Sequence, residues 1–544
     1  METELHQNTQ KFPRRTAFLN LVLLPVFLAA GFLIYFPSLK ADFVFDDLNT
    51  LEQNPFIKVW ELKRFFLNPG TFSAKIGNSP YRPLVALSYA LDYKLGKGNW
   101  AALHATNILL HALSGFFLFL CAQALFKSRR AGLIAGALFL VHPLPGFSAN
   151  YLSARSGIMC SLFLLVSLFL WARSKDSHNF PSRAAQYGLH LGFFGLALLC
   201  KIDAVVLIPI IFALSFFRDR DWKWQSLARD ILPLLVLGGG FLALYKYLAG
   251  SPFVPTQSSM TPLYSRSDSL LAAMLSPAIY FLKTLMPVRL SIFPGLPGHA
   301  LTLAVLAIIC YLAVAGAALY RRNAKALLVL IWYFSALLPV LFLRLNILLA
   351  YYRGYLALAG LFMGLGLAVD YLLKHNRRLA LPIVLSAILF AGLAHAQSRD
   401  WISPRGLWSS AIKQSPSEFV PHHFLAVILI QDRELDRADR ELNWTLRLRP
   451  DFADAHNSLG VLMFRQGQSE RGRAELDRAW RLDPENYVYL ENLIMARLQL
   501  RELDGMGALL EQLLKIAPPS DTQAQKLQEL YLKIQAENFS STEP

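Results

Sequence analysis

The chain is poor in charge. Asp, Glu, Lys and Arg make up 17% of its 544 residues, against about a quarter in an ordinary globular domain. With 54% hydrophobic residues, it has too little polar surface for a single soluble domain, and the same figures exclude disorder, collagen and coiled coil. Cysteine is scarcer still. Cys121, Cys160, Cys200 and Cys310 lie in or beside apolar runs without CxxC or other ligand spacing, which excludes a disulfide framework and leaves them as small core hydrophobes. Acidic residues are short in one half only. Residues 1–415 hold 38 basic and 16 acidic side chains, a net of +22, whereas 416–544 hold 15 and 21, a net of −6. The overall +16 therefore belongs to the apolar part, where loop lysines and arginines orient membrane spans, and it implies no nucleic acid partner.

Long apolar runs are abundant. A bilayer needs about 20 helical residues per crossing, and the runs predict eleven spans near 17–37, 104–126, 131–149, 153–172, 184–201, 203–217, 230–249, 301–320, 326–343, 350–373 and 379–397. The first follows Lys11, Arg14 and Arg15 and lacks a clear small-residue cleavage site, so it reads as a retained anchor. With the N-terminus in the cytoplasm, every short basic cluster falls on the cytoplasmic side: Lys127/Arg129/Arg130, Arg173/Lys175/Arg183, Arg218/Arg220/Lys223/Arg229, Arg321/Arg322/Lys325 and Lys374/Arg377/Arg378. Counting 270–287 as a further span would break that pattern, so it reads as re-entrant or interfacial. The loop 38–103 and everything after residue 400 then lie outside the cytoplasm.

Pro416, Pro450, Pro484 and Pro518 recur at one constant interval. A period of about 34 residues closed by proline is the tetratricopeptide pattern of paired helices. Repeats run over about 417–450, 451–484 and 485–518, with Leu459-Gly460, Leu476 and Ala479 as the small or apolar contacts of the middle copy. Stacked repeats form a concave surface suited to a peptide.

The topology narrows the chemistry. Among the extracytoplasmic carboxylates only Asp46 and Asp47 are adjacent, in Phe43-Val44-Phe45-Asp46-Asp47 just beyond the first span. Apolar surroundings raise a carboxyl group toward general-base usefulness. Arg82, Arg155, Lys201 and Arg353 sit at the same ends of spans or in the loops beside them, and four such cations suggest a phosphate-binding pocket. His104, Asn107 and His111 share one helix face, but two turns separate the histidines by about 10 Å, which favours hydrogen bonding to substrate or neighbours over a shared metal ion. His142, before Pro143 near the external end of the third span, either reaches the same cavity or simply caps it. No cofactor is read with certainty, and a divalent metal stays an open alternative.

In order along the chain these pieces resemble the transmembrane and tetratricopeptide-repeat-containing O-mannosyltransferases, of the GT-C class of glycosyltransferases. The resemblance rests on Phe45-Asp46-Asp47 with Asn54-Pro55, Tyr81-Arg82-Pro83-Leu84, His104/Asn107/His111, Val141-His142-Pro143, Ala154-Arg155, Lys201, Tyr280-Phe281-Leu282-Lys283, Trp332, Arg399-Asp400-Trp401 and the repeats. It implies an all-α fold: a polytopic GT-C-like bundle over residues 1–400, then an extracytoplasmic α-solenoid of repeat helix pairs over 401–544. It implies a polyprenyl-phosphate-linked sugar as donor and a Ser or Thr hydroxyl of a polypeptide as acceptor. By the same resemblance Asp46 is the base in an inverting transfer, Asp47 its support, and Arg82, Arg155, Lys201 and Arg353 the clamp on the lipid phosphate. Where that family reads Ser-Lys-Glu this chain has Cys200-Lys201-Ile202, and its Glu-Arg-Tyr segment reads Tyr352-Arg353-Gly354; both departures bear on the sugar or acceptor. The compact repeat array points to a bacterial inner membrane, with the repeats periplasmic. The alternatives are the same chemistry on a lipid-linked or envelope glycan, and a non-enzymatic scaffold for envelope assembly.

Overall fold

Apolar runs long enough to cross a bilayer can satisfy their backbone polar groups in lipid only as helices, and helix is what they form. The structure is a computed structural model and describes residues 19–74, 80–177, 179–218, 224–250, 264–342, 347–517 and 522–540. Lys11, Arg14, Arg15, Arg220, Lys223 and Pro518 lie outside them. No strand occurs among the described residues. The chain divides into two compact units, residues 1–256, 265–292 and 296–403 in the first, and 257–264, 293–295 and 404–544 in the second.

The first unit contains α1 (Leu23–Tyr35), α2 (Leu62–Leu67), α3 (Pro83–Leu95), α4 (Ala101–Phe126), α5 (Arg129–Val141), α6 (Pro143–Asn150), α7 (Arg155–Asp176), α8 (Phe180–Cys200), α9 (Leu207–Arg218), α10 (Trp224–Ala249), α11 (Arg266–Leu285), α12 (Ala300–Tyr320), α13 (Ala324–Leu337), α14 (Tyr355–His375) and α15 (Ala380–Asp400). Among the described residues eight helices are long and apolar enough to span a bilayer, those containing α1, α4, α7, α10 and α12 to α15. The bent pair α5–α6, with 54° between its halves, makes a ninth if counted as one span. Nine of the eleven expected runs fall in these helices, and the other two are helical but shorter or less apolar. The run 184–201 lies in α8, which is long enough but is diluted by Arg183, Gln186 and His190, while 203–217 is divided between a 3-10 turn at Ile202–Val206 and the short α9. The segment 270–287 lies largely within α11, one continuous helix capped by Ser265 and Asp268; a re-entrant hairpin would need a break, and none occurs there.

Close approach holds the bundle's centre. A Cβ on Gly136 would collide with Gly115 O, and one on Gly366 with Ala131 O, so α5 lies backbone to backbone with α4 on one side and α14 on the other. Phe27, Tyr35, Ile108, Phe119 and Leu140 fill the space beside this contact. The bend between α5 and α6 follows from Pro143, which has no N–H to continue α5 and instead starts α6 with His142 as its cap. The bend delivers Tyr151 and Ser153 to the end of the bundle where the α1–α3 loop lies, as their bonds to Asp46 and Asp47 require. At another place ion pairs gather the basic loops: Lys127 with Asp176, Arg130 and Lys374 with Asp370, and Lys175 with Asp230.

The second unit runs α16 (Pro404–Gln414), α17 (Phe419–Gln431), α18 (Leu435–Leu448), α19 (Ala453–Arg465), α20 (Ser469–Leu482), α21 (Tyr487–Gln499), α22 (Met506–Ile516) and α23 (Thr522–Ser540). Pro416, Pro450 and Pro484 each precede the first helix of a pair, α17–α18, α19–α20 and α21–α22. Ala426, Ala438, Leu459, Leu476, Ala479, Ile494 and Met506 are all buried, and Gly460 leaves room for Leu476 and the Gly472 backbone. A polar contact repeats with the period. His422 Nδ1 meets Glu441 at 2.6 Å and its Nε2 meets Pro416 O at 3.2 Å; one repeat further on, His456 meets Glu475 at 2.6 Å and Pro450 O at 2.9 Å. The third copy has Leu490 and Leu509 at these positions, both within an apolar cluster.

Candidate active site

The loop after α1 separates its two acids. Phe45 adopts φ 53°, a left-handed conformation uncommon for an aromatic residue. On either side of that turn Val44 is buried, Asp46 is exposed and Asp47 is buried. Asp47 accepts hydrogen bonds from the Ser153 amide at 2.9 Å and the Ser153 hydroxyl at 2.5 Å. Burial pushes the Asp47 carboxyl up to about 7; the neighbouring charge of Asp46 adds to the rise and the Ser153 bonds oppose it. Asp46 accepts from the Tyr151 hydroxyl at 3.0 Å.

Three of the four expected cations, Arg82, Lys201 and Arg353, are half-buried, and two of them, Arg82 and Arg353, share the neighbour Tyr352 with Asp46. Arg82 donates to Ser156 Oγ at 3.2 Å and lies over the Phe72 ring. Lys201 pairs with Asp203 at 2.5 Å. Arg353 donates to Ile347 O at 2.7 Å and lies by the ring of Tyr352, which meets the ring of Tyr151 at 5.2 Å. Tyr352 feels the charges of Arg353, Asp46 and Arg82, and Cys160 those of Asp203, Lys201 and Arg82, so Arg82 is common to both neighbourhoods.

Arg155, by contrast, is enclosed in the bundle. It is 0% exposed, paired with Asp92 at 2.6 Å and donating to Asn107 Oδ1 and Leu103 O at 2.7 Å and to Ser88 Oγ at 3.2 Å. The guanidinium also lies 4.4 Å from the Tyr89 ring centre. With its donors occupied, it ties α3, α4 and α7 together and offers nothing to a phosphate. The expected polar helix face is likewise internal. Asn107 joins Arg155 to Tyr151 O. His111 Nε2–H donates to Leu140 O, which leaves Nδ1 to accept from Tyr355. His142 donates to Thr284 O while accepting from the Leu144 amide. His104 is buried within reach of the Arg155 charge. All four are bundle interior, and the hydrogen bonds of Asn107, His111 and His142 satisfy groups that would otherwise be costly to bury. Among the described residues no group of three or more His, Cys, Asp or Glu is placed to hold a metal ion.

Tyr151, Ser153 and Tyr352 were not singled out from sequence. Tyr352 directly precedes Arg353 and Ser153 lies two residues before Arg155, but a hydroxyl has no spacing rule that reveals it. A cavity of about 220 Å³ between residues 55 and 71 lies apart from this cluster and contains only the ion-paired Glu61 and Arg64 as charged groups.

A bundle of helices long and apolar enough to cross a bilayer, with Asp46, Arg82 and Arg353 gathered about Tyr352, defines the class: a polytopic integral membrane protein. Its relatives are consistent with the resemblance drawn from the motifs. Residues 78–245 match the family described as dolichyl-phosphate-mannose-protein mannosyltransferase. The chain is 31% identical over 205 residues to the protein O-mannosyl-transferase tmtc2 of Xenopus laevis, covering 37% of this chain and 24% of that protein. It is 29% identical over 209 residues to the protein O-mannosyl-transferase TMTC1 of Homo sapiens, covering 35% and 24%. The match thus spans about a quarter of the length of these curated relatives. Among solved structures, the archaeal oligosaccharyltransferase AglB from Archaeoglobus fulgidus aligns with a TM-score of 0.44 at 14% identity over 72% of this chain and 56% of that one. ArnT from Cupriavidus metallidurans aligns at 0.40 and 16% identity over 81% and 78%.

Proposed function

We propose that the chain is a GT-C glycosyltransferase that moves a sugar, mannose by the relatives' names, from a polyprenyl phosphate to a Ser or Thr hydroxyl of a polypeptide. The observation that carries this is the exposed Asp46, hydrogen-bonded to Tyr151 and lying near Arg82 and Arg353. Asp46 takes the hydroxyl proton as the acceptor oxygen attacks the anomeric carbon. The bond from that carbon to the phosphate oxygen breaks, the electron pair leaves with the polyprenyl phosphate, and the configuration inverts. Arg82, Lys201 and Arg353 stabilise the charge that collects on the phosphate. A donor whose leaving group is anchored in lipid suits a site at the ends of spans. In this reading the N-terminus is cytoplasmic, the site and the repeats face the periplasm of a bacterial inner membrane, and the tetratricopeptide-like pairs recruit the acceptor.

The test supplies purified chain in lipid with polyprenyl-phosphoryl-mannose and a Ser/Thr-rich peptide, and follows the peptide by mass spectrometry. A gain of one hexose that disappears in Asp46→Asn supports the proposal. Labelled mannose appearing only in envelope glycan would move the acceptor to a glycan, and no transfer to any acceptor, with envelope assembly intact in Asp46→Asn cells, would leave a scaffold.

A further inference from the structure

The acid pair is held by a turn far along the chain, between α6 and α7, whose carbonyls are fixed by α3 and α4 while its hydroxyls and an amide reach the acids. Tyr151 is buried, with its ring against Tyr352 and Trp401. Its carbonyl accepts from Asn107 Nδ2 at 3.2 Å, and the next carbonyl, Leu152 O, accepts from the Tyr89 hydroxyl at 2.8 Å. Asn107 is fixed in turn by the buried Arg155. The hydroxyl of Tyr151 therefore has little freedom to swing, and it reaches Asp46 at 3.0 Å. From the same turn Ser153 holds Asp47 through both its amide and its hydroxyl. Immediately before the two contacts the loop carries the left-handed Phe45, a conformation that persists only where its surroundings impose it.

Resting on the proposed transfer reaction, we infer that Tyr151 is a positioning residue for Asp46: its hydroxyl fixes the direction of the carboxylate and favours its ionised form, while the Asp47–Ser153 contact latches the loop to the turn. Asp46 and Asp47 thereby divide their work. The buried acid holds position, and the exposed acid meets the acceptor. Near neutrality the buried Asp47 is partly protonated, as its rise to about 7 requires, which reduces repulsion of the ionised neighbour.

Removing a hydrogen bond donated to a carboxylate destabilises its charged form, so Tyr151→Phe moves the Asp46 titration upward by about one pH unit, a tenfold effect. This is read without activity, by infrared titration of carboxyl groups in the full chain in lipid, the Asp46 band being the one missing from Asp46→Asn. 3-Fluorotyrosine at position 151 keeps ring and hydroxyl, folds as the parent does, and moves the band downward because the more acidic phenol donates more strongly. In transfer assays Tyr151→Phe lowers kcat about tenfold, raises the acid limb of the rate profile by the same amount and leaves KM for the lipid donor unchanged. An Asp46 band unmoved by both variants overturns the inference, whatever the transfer assay gives. Shifted bands with no sugar transfer by the parent chain keep Tyr151 as the group that positions Asp46 and sink the transferase reading instead.

Discussion

Arg155 and Arg82 act on one ring, that of Tyr89, yet they occupy opposite kinds of environment. Arg155 is wholly inside the protein with its donors consumed by Asp92, Asn107, Leu103 and Ser88. Arg82 is half-buried, donates to Ser156, lies over the Phe72 ring and shares the neighbour Tyr352 with Asp46. Sequence position treats them alike, since each lies beside a span end in a motif of the same resemblance. Burial separates them: a guanidinium sealed among acceptors stabilises the fold, and only one with donors to spare can meet a leaving phosphate.

The sharpest way to break that comparison is at its two extremes. Asp46→Asn is expected to lower transfer by about 10² to 10⁴-fold, the usual worth of a general base, with the thermal unfolding of the chain in lipid unchanged. Arg155→Met is expected to do the reverse in kind, costing about 3–5 kcal/mol of stability because Asp92 is left buried without its partner. Adding Asp92→Leu should restore most of that loss. If Arg155→Met unfolds no earlier than the parent but abolishes donor binding, the division fails. Between the extremes, Arg82→Gln and Lys201→Gln are each expected to lower kcat/KM about tenfold, the scale of one charge-assisted hydrogen bond, with unfolding unmoved. A matching drop in unfolding temperature would make these cations structural too.

Most of the bundle and the repeat pairs were legible because their signals are repetitive. Apolar runs long enough to span and prolines at a constant interval need no knowledge of contacts. The signal is weakest where length and composition disagree, as in α8 and α9. Asp46 and Asp47 could be picked out because adjacent acids beside a span are rare. That Arg155 of α7 answers Asp92 of α3 could not be read, because pairing across helices depends on how α3, α4 and α7 cross. For the same reason the polar face of His104, Asn107 and His111 looked like a substrate surface: periodicity identifies a face but not what covers it.

The second unit offers the smallest and cleanest test, since it holds the same position in polar and apolar form. The His456 contact holds the Glu475 carboxyl below the usual glutamate range, with the hydrogen bond the main cause and Arg478 and Arg471 contributing. A depressed carboxyl contributes stability that is present above its unfolded value and lost as pH falls through the folded one. The α19–α20 pair should therefore lose hydrogen-exchange protection on acidification below the ordinary glutamate range. The α21–α22 pair, with Leu490 and Leu509 in place of the histidine and glutamate, has no such contact to titrate and should change less. Glu475→Gln is expected to cost about 1 kcal/mol at neutral pH and to flatten the acid response of α19–α20 toward that of its neighbour. Equal acid responses in the two pairs of the parent chain would mean that the repeated histidine contact contributes nothing to local stability.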